Sequence, residues 1–361
     1  MNNDIWIELS QRNLNNNIEF VSSKNIESKL IYMLKSNAYG HGIDELISML
    51  PKRQIIAFTD MSDCIKFSNS EHTIIHFNKL DKSNLNNYIN HSIIPMISSF
   101  QDIAELKKIS KPLNIIIKID TGMKRFGLDC CDIDTAVQMI NNSKNLQIHS
   151  IATHFSSLDD PTNQYNNFQL DNINKIKSKY NYPIHYKNSA GSLQNLNLES
   201  DYIRPGISIY GYYPSSKLKL NNNKYLNLKP ILRLLTKSLE IKTLNKGETL
   251  GYSCTYIAKN KLTYAILPIG YYHGLPRYLS NKGTVYCNKT ECPIIGNICM
   301  NHTFVDISNI NIDSTIIDNL KFEVIGDKEK NNAEYISRIG NTIPYEVLIN
   351  IKPNIQRVIV E

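Results

Sequence analysis

Eight short apolar runs rich in β-branched residues alternate with helix-patterned segments between residues 30 and 211, and this alternation restricts the available folds most. The runs occupy 30–35, 55–60, 73–78, 93–98, 113–120, 148–154, 183–189 and 202–211; helical patterning fills 44–50, 100–109, 133–141 and 163–180. Strands separated by helical crossovers run parallel and connect with a right-handed turn. Eight of them predict an α/β architecture, a (β/α)8 TIM-type barrel, here assigned to residues 1–229. Chemistry in such barrels sits where strands end and the following loops begin. Polar residues fall at those places repeatedly: Lys35, Lys118 with Asp120, His154, Asn188 with Ser189, and Arg204 within the eighth run.

Beyond Pro230 the pattern changes. Residues 233–244, 264–269, 283–287, 292–295, 303–307 and 321–325 read as strands, divided by turn signals such as Asn245-Lys246-Gly247 and Ser280-Asn281-Lys282-Gly283. With a short helical pattern at 333–338, they predict a mostly β C-terminal domain over 230–361. The triplets Asn15-Asn16-Asn17 and Asn221-Asn222-Asn223 read as surface loop.

Several function classes are excluded by what is missing. The net charge is +7, but the lysines are dispersed through an Asn- and Ile-rich composition rather than clustered beside aromatics, so no nucleic-acid partner is expected. No stretch reaches the roughly 18 apolar residues of a membrane span. The N-terminal segment lacks a basic and an apolar region, and a cytoplasmic protein is expected. The seven cysteines include no C-x-x-C pair and show no metal-ligand spacing, so no metal is expected.

Lys35 ends the first run, Leu30-Ile31-Tyr32-Met33-Leu34, at the predicted barrel mouth. Semi-burial disfavours an ammonium, and a neutral amine attacks aldehydes, so Lys35 is a Schiff-base candidate. Arg204, the backbone amides of Gly206 and Ile207, and the Ser189 hydroxyl suit a phosphorylated aldehyde such as pyridoxal phosphate. Here the chain closely resembles the alanine racemases, the barrel-type pyridoxal-phosphate enzymes. The resemblance is carried by Lys35-Ser36-Asn37-Ala38-Tyr39-Gly40-His41-Gly42, Asp120-Thr121-Gly122-Met123-Lys124-Arg125-Phe126-Gly127, Thr153-His154-Phe155 and Asn188-Ser189-Ala190. It continues through Arg204-Pro205-Gly206-Ile207, Gly251-Tyr252-Ser253, Gly270-Tyr271, Ile298-Cys299-Met300 and Tyr345-Glu346-Val347.

The resemblance implies a racemase interconverting L- and D-alanine, supplying D-alanine for peptidoglycan, with Lys35 holding the cofactor and serving as one of two bases. Tyr252, from the second domain of a partner copy in a homodimer, would be the opposing base, with His154 beside it. Arg204 would face the pyridine nitrogen, oriented by His185. Tyr39, Asn188, Ser189, Gly206, Ile207 and Tyr345 would hold the cofactor, largely at its phosphate. Arg125 would meet the cofactor or the substrate carboxylate, together with the Met300 amide, and Lys118 would be carbamylated to pair with Arg125. Three positions depart from the family pattern: Asn301 replaces an acid, Asn297 an arginine and His273 an acid. They leave open a broader racemase acting on serine or other small amino acids. A non-catalytic pyridoxal-phosphate carrier would lack the second domain, and a barrel-type decarboxylase would place a carboxylate where Arg204 stands.

Overall fold

The computed structural model describes residues 4–196, 198–221, 227–310 and 320–361. Strand β1 (Ile5–Ser10) buries every second residue, Ile5, Ile7 and Leu9, as a strand with one covered face must. It does not enter the barrel. It pairs antiparallel with Leu232–Lys237 and parallel with Gln356–Val360, so residues 5–10, assigned from sequence to the first domain, lie in the sheet of the second. The Ser10 side chain then accepts a hydrogen bond from Asn13 N (3.2 Å) and caps the helix Gln11–Ser23.

That helix overturns the loop reading of the first asparagine triplet. Asn17 is fully buried, donates to Ile209 O (3.1 Å) and Lys229 O (2.8 Å), and accepts from Lys229 N (2.8 Å). A buried amide with its bonds made pins the chain between the two halves of the protein. Of the second triplet, Asn221 ends the helix Ser216–Asn221, and Asn222 and Asn223 lie outside the described residues.

The barrel strands are β2 (Lys29–Met33), β3 (Ile55–Phe58), β4 (Thr73–His76), β5 (Ile94–Ile97), β6 (Leu113–Asp120), β8 (Leu146–Ala152), β9 (Ile184–His185) and β10 (Tyr202–Ile203), with β7 (Leu128–Asp129) a short spur on β6. Every pairing between neighbours is parallel, in the order β10-β2-β3-β4-β5-β6-β8-β9. The sheet is nearly closed. Across the last seam Asp201 N donates to Ile184 O and Arg204 N to Lys187 O, both at 2.8 Å. Ile115, Ile116, Ile117 and Ile119 have no exposed surface, because neighbours cover both faces of a parallel strand.

Most paired strands are shorter than the runs that predict them. Lys35 and His154 lie just past the last ladder pairs of β2 and β8, at the carboxyl ends, whereas Lys118 and Asp120 remain within β6. Helices Met61–Phe67 and Leu85–Asn90 have too few turns to show a period in the sequence.

In the second half, the run 233–244 proves to be two strands. The chain breaks at Ser238-Leu239, sending Leu232–Lys237 to a six-stranded sheet and Glu240–Leu244 to a three-stranded one. The helix Pro344–Ile349 and the strand Gln356–Val360, neither visible in the sequence, return the chain to the barrel mouth and to β1. Among the described residues no helix is long and apolar enough to cross a membrane.

Candidate active site

After β2 the backbone turns the wrong way for L-residues. Ser36, Asn37, Ala38 and Tyr39 all have φ between 51° and 55°, a full left-handed helical turn. Each such residue costs about 1–2 kcal/mol, so a run of four stands only where its surroundings impose it. The turn places Lys35 and Tyr39 on the same cavity, about 410 Å³ in volume, at the carboxyl ends of the barrel strands.

That cavity gathers Lys35, Tyr39, Arg125, His154, Asn188, Ser189, Arg204, Gly206 and Tyr345 from the residues nominated in the sequence. Tyr252 and Met300 do not line it; Tyr252 is 70% exposed elsewhere on the second half. Ile207 is wholly buried and does not line the cavity. Lys118 is buried beneath, its Nζ donating to Ile119 O at 2.8 Å.

Arg204 is fixed rigidly. Its Nη1 lies 2.9 Å from His185 Nδ1 and donates to His185 O (2.7 Å), while Nη2 donates to Thr153 O (2.7 Å). The guanidinium also packs over the Phe77 ring at 5.0 Å, a contact the sequence reading missed. Phe77 lay inside the third predicted run, but nothing in a lone aromatic announces a cation above it. Arg125 leaves β6 through a turn in which Asp120 Oδ1 accepts from Gly122 N (2.8 Å) and Lys124 N (3.1 Å).

Opposite the lysine, the chain makes a cradle. The Ser189 Oγ accepts from Gly206 N (2.8 Å) and Ser208 N (3.3 Å), leaving its own proton free to donate outward. A Cβ on Gly206 would sit 2.3 Å from the Tyr39 hydroxyl, so only glycine lets this backbone approach it. Asn188 is committed to capping, with Oδ1 accepting from Gly191 N at 3.0 Å. The Tyr345 ring stands 5.9 Å from that of Tyr39.

The electrostatics call for an anion. Lys35, Arg125 and Arg204 line the cavity against one carboxylate, Asp159. Burial, and then the Arg125 charge, lower the pKa of Lys35, favouring the neutral amine. Burial and Arg204 push Lys118 down to about 7. His154 is held neutral by burial and by Arg204, and its buried Nδ1 finds no partner among the described residues. A small phosphorylated aldehyde fits this donor set: an amine disposed to its neutral form, hydroxyls beside a closely approaching backbone, and more cations than carboxylates on one cavity.

Comparison with known proteins agrees with this geometry. Residues 9–214 match the family model described as alanine racemase, N-terminal domain, and residues 231–359 match alanine racemase, C-terminal domain. An alanine racemase of Borreliella burgdorferi (strain ZS7) is 30% identical over 365 residues, covering 97% of this chain and 96% of that protein. The solved alanine racemase of Clostridium difficile 630 superposes with a TM-score of 0.89 at 25% identity, over 100% of this chain and 97% of its own. The fold of the Bartonella henselae alanine racemase, solved with covalently bound pyridoxal phosphate, matches with a TM-score of 0.86 at 24% identity, over 99% of each chain. Barrel, appended β half and lysine-centred cavity thus define an isomerase of the racemase class. The chain belongs to the alanine racemase family.

Buried histidines give the fold an acid limit. His41 is pushed down to about 3 and His185 well below its ordinary value, both chiefly by burial. Unfolding releases them to titrate near ~6.5. With His154, likewise held neutral by burial, the unfolded chain below that pH binds three protons that the folded chain refuses, so stability falls as pH falls. Urea unfolding is expected to lose about 3–4 kcal/mol per pH unit between pH 6 and 5. Equal midpoints at pH 6.5 and 5 would contradict burial of these rings in the neutral form.

Proposed function

We propose that this protein racemises alanine with pyridoxal phosphate as cofactor, Lys35 and Tyr252 exchanging protons with opposite faces of the substrate α-carbon. The observation that carries the reading is the amine of Lys35, its charge disfavoured by burial and Arg125, set in a cation-rich cavity whose far end is built from Ser189, Gly206 and Tyr39. When bound, the cofactor supplies the electron-withdrawing group that acidifies the α-C–H bond. Lys35 would hold it and take or return the proton on one face. Tyr39, Ser189, Tyr345 and the backbone at Gly206 and Ile207 would hold its phosphate, with Asn188 shaping the loop by its cap.

Arg204 can only donate hydrogen bonds, so a ring nitrogen facing it receives no proton from the protein. That arrangement disfavours side reactions needing a long-lived carbanion. Arg125, with the Met300 amide, would orient the substrate carboxylate.

The exposure of Tyr252, outside the cavity of its own chain, supports a homodimer in which each copy lends this tyrosine to the other. His154, which lines the cavity, would then stand beside the tyrosine that a second copy brings. In that reading residues 1–229 hold the cofactor and 230–361 deliver the base. Asn297 donates to Tyr252 O at 2.9 Å and so steadies the loop that presents it. The D-alanine produced would serve peptidoglycan synthesis.

Lys118, with a neutral amine accessible near pH 7, would react with carbon dioxide, releasing a proton and becoming an anion that pairs with Arg125. Intact mass under bicarbonate is expected to show one added carbon dioxide on the wild-type chain and none on Lys118→Ala; an unmodified wild-type mass refutes it.

Incubation of each alanine enantiomer in D2O tests the main proposal. Deuterium at the α-carbon accompanied by inversion, starting from either enantiomer, is the expected result. Exchange without inversion, or a kcat/KM for serine equal to that for alanine, would reject alanine racemisation as the assigned activity.

A further inference from the structure

Arg357 lies on the strand Gln356–Val360, outside the cavity, yet all three nitrogens of its guanidinium donate to backbone carbonyls. Nε donates to His41 O (2.7 Å) and Nη2 to Gly40 O (2.9 Å), while Nη1 reaches Pro353 O (2.7 Å) and Ile355 O (2.8 Å). The first two acceptors are the carbonyls that follow the left-handed turn at residues 36–39. The chain there is shaped to receive the clamp. A Cβ on Gly42 would lie 2.5 Å from Arg357 Cδ, and one on Gly40 would lie 2.1 Å from Leu348 O. From within, buried His41 sets Nδ1 at 3.1 Å from Ala38 O and 3.0 Å from Tyr39 O, and its ring stacks on Tyr210 with centroids 4.5 Å apart.

We propose that Arg357 is a positioning residue for the cofactor: from the second half of the protein it holds residues 36–39 left-handed, so that Lys35 and Tyr39 already face the cavity before the cofactor arrives. The inference rests on the functional reading of Lys35 given above. Arginine suits the task because its planar fork spans two successive carbonyls with fixed geometry, which a lysine ammonium on a flexible stem does not. Its own strand is set by pairing with β1, so the clamp point is fixed independently of the barrel. A turn of four residues at unfavourable φ relaxes once its closing carbonyls lose their donors. Relaxation would swing Lys35 and Tyr39 apart and make the cofactor reorder them on binding.

The test uses the full chain, stripped of cofactor and then titrated with pyridoxal phosphate, as wild type, Arg357→Lys and Arg357→Gln. Cofactor Kd, read from the absorbance of the bound chromophore, is expected to rise about 10-fold in the lysine variant and about 100-fold in the glutamine variant, as lost preorganisation predicts. Amides of residues 36–42 should exchange with deuterium faster in both cofactor-free variants, while those of the six-stranded sheet keep wild-type protection.

Unchanged Kd in both variants overturns the inference, and so does loss of protection throughout the sheet. Failure of both variants to fold overturns it as well, since the residue would then serve stability at large. Borohydride reduction and peptide mapping of the wild type provide the separate control. A pyridoxyl group on a lysine other than Lys35 would defeat the functional reading itself. Labelling at Lys35 with unaltered variants would defeat only the role of Arg357.

Discussion

Lys35→Ala folds normally and loses racemase activity, with kcat/KM down by on the order of 10⁴ or more. In the proposed reading one amine both holds the cofactor and exchanges a proton with the α-carbon, and alanine can do neither. Stability is expected to move the other way. Burial and the charge of Arg125 lower the pKa of Lys35, so the folded state disfavours its cation at neutral pH. Removing the side chain relieves that penalty, and the cofactor-free variant should melt at or slightly above the temperature of the cofactor-free parent. Activity within tenfold of wild type would remove Lys35 from the mechanism; a large fall in melting temperature would make its role structural.

Tyr252→Phe removes a single oxygen from an exposed ring, yet racemisation is expected to fall by about 10²–10⁴. Cofactor affinity should hold, because in the proposed reading the cofactor is held by Lys35, Tyr39, Ser189 and Gly206 and not by Tyr252. The remaining base still faces one side of the α-carbon. One enantiomer should therefore exchange its α-proton with D2O much faster than it inverts, and the other should exchange slowly. Mixing the two inactive variants carries the test further. If each site joins Lys35 of one copy to Tyr252 of another, random re-pairing puts both intact residues together in about a quarter of all sites. Recovery toward that fraction is the expected result; an inactive mixture would mean that each chain builds its site alone.

Much of this site was legible because a barrel converts order along the chain into proximity. Once eight strands were read as parallel, the residues ending them had to converge on one rim, and Lys35, His154, Asn188, Ser189 and Arg204 do line one cavity. What stayed hidden depends on contacts between distant segments. β1 alternates as any half-buried strand does, and nothing in Ile5-Trp6-Ile7-Glu8 says that its partners are residues 232–237 and 356–360. Asn17 looks like loop polymer until the carbonyls of Ile209 and Lys229 are brought to it. The run 233–244 is continuous in composition and divides only because two sheets compete for it. The left-handed turn after Lys35 is likewise silent, since Ser-Asn-Ala-Tyr contains no glycine and the groups packed against the residues that follow it, Leu348 and Arg357, lie far away in the chain.

The pairing of β1 with Gln356–Val360 also orders events on the ribosome. Residues 6–10 emerge long before their parallel partners, residues 356–360. The barrel strands between Lys29 and Ile203 can assemble while the chain is still growing, but the six-stranded sheet cannot close until residues 356–360 have been made. Until then one edge of β1 is bare, a template for pairing with a neighbouring nascent chain. Occupation of that edge by Gln356–Val360 is therefore a late checkpoint: a chain lacking these residues keeps its barrel sequence intact and leaves one edge of β1 without a mate.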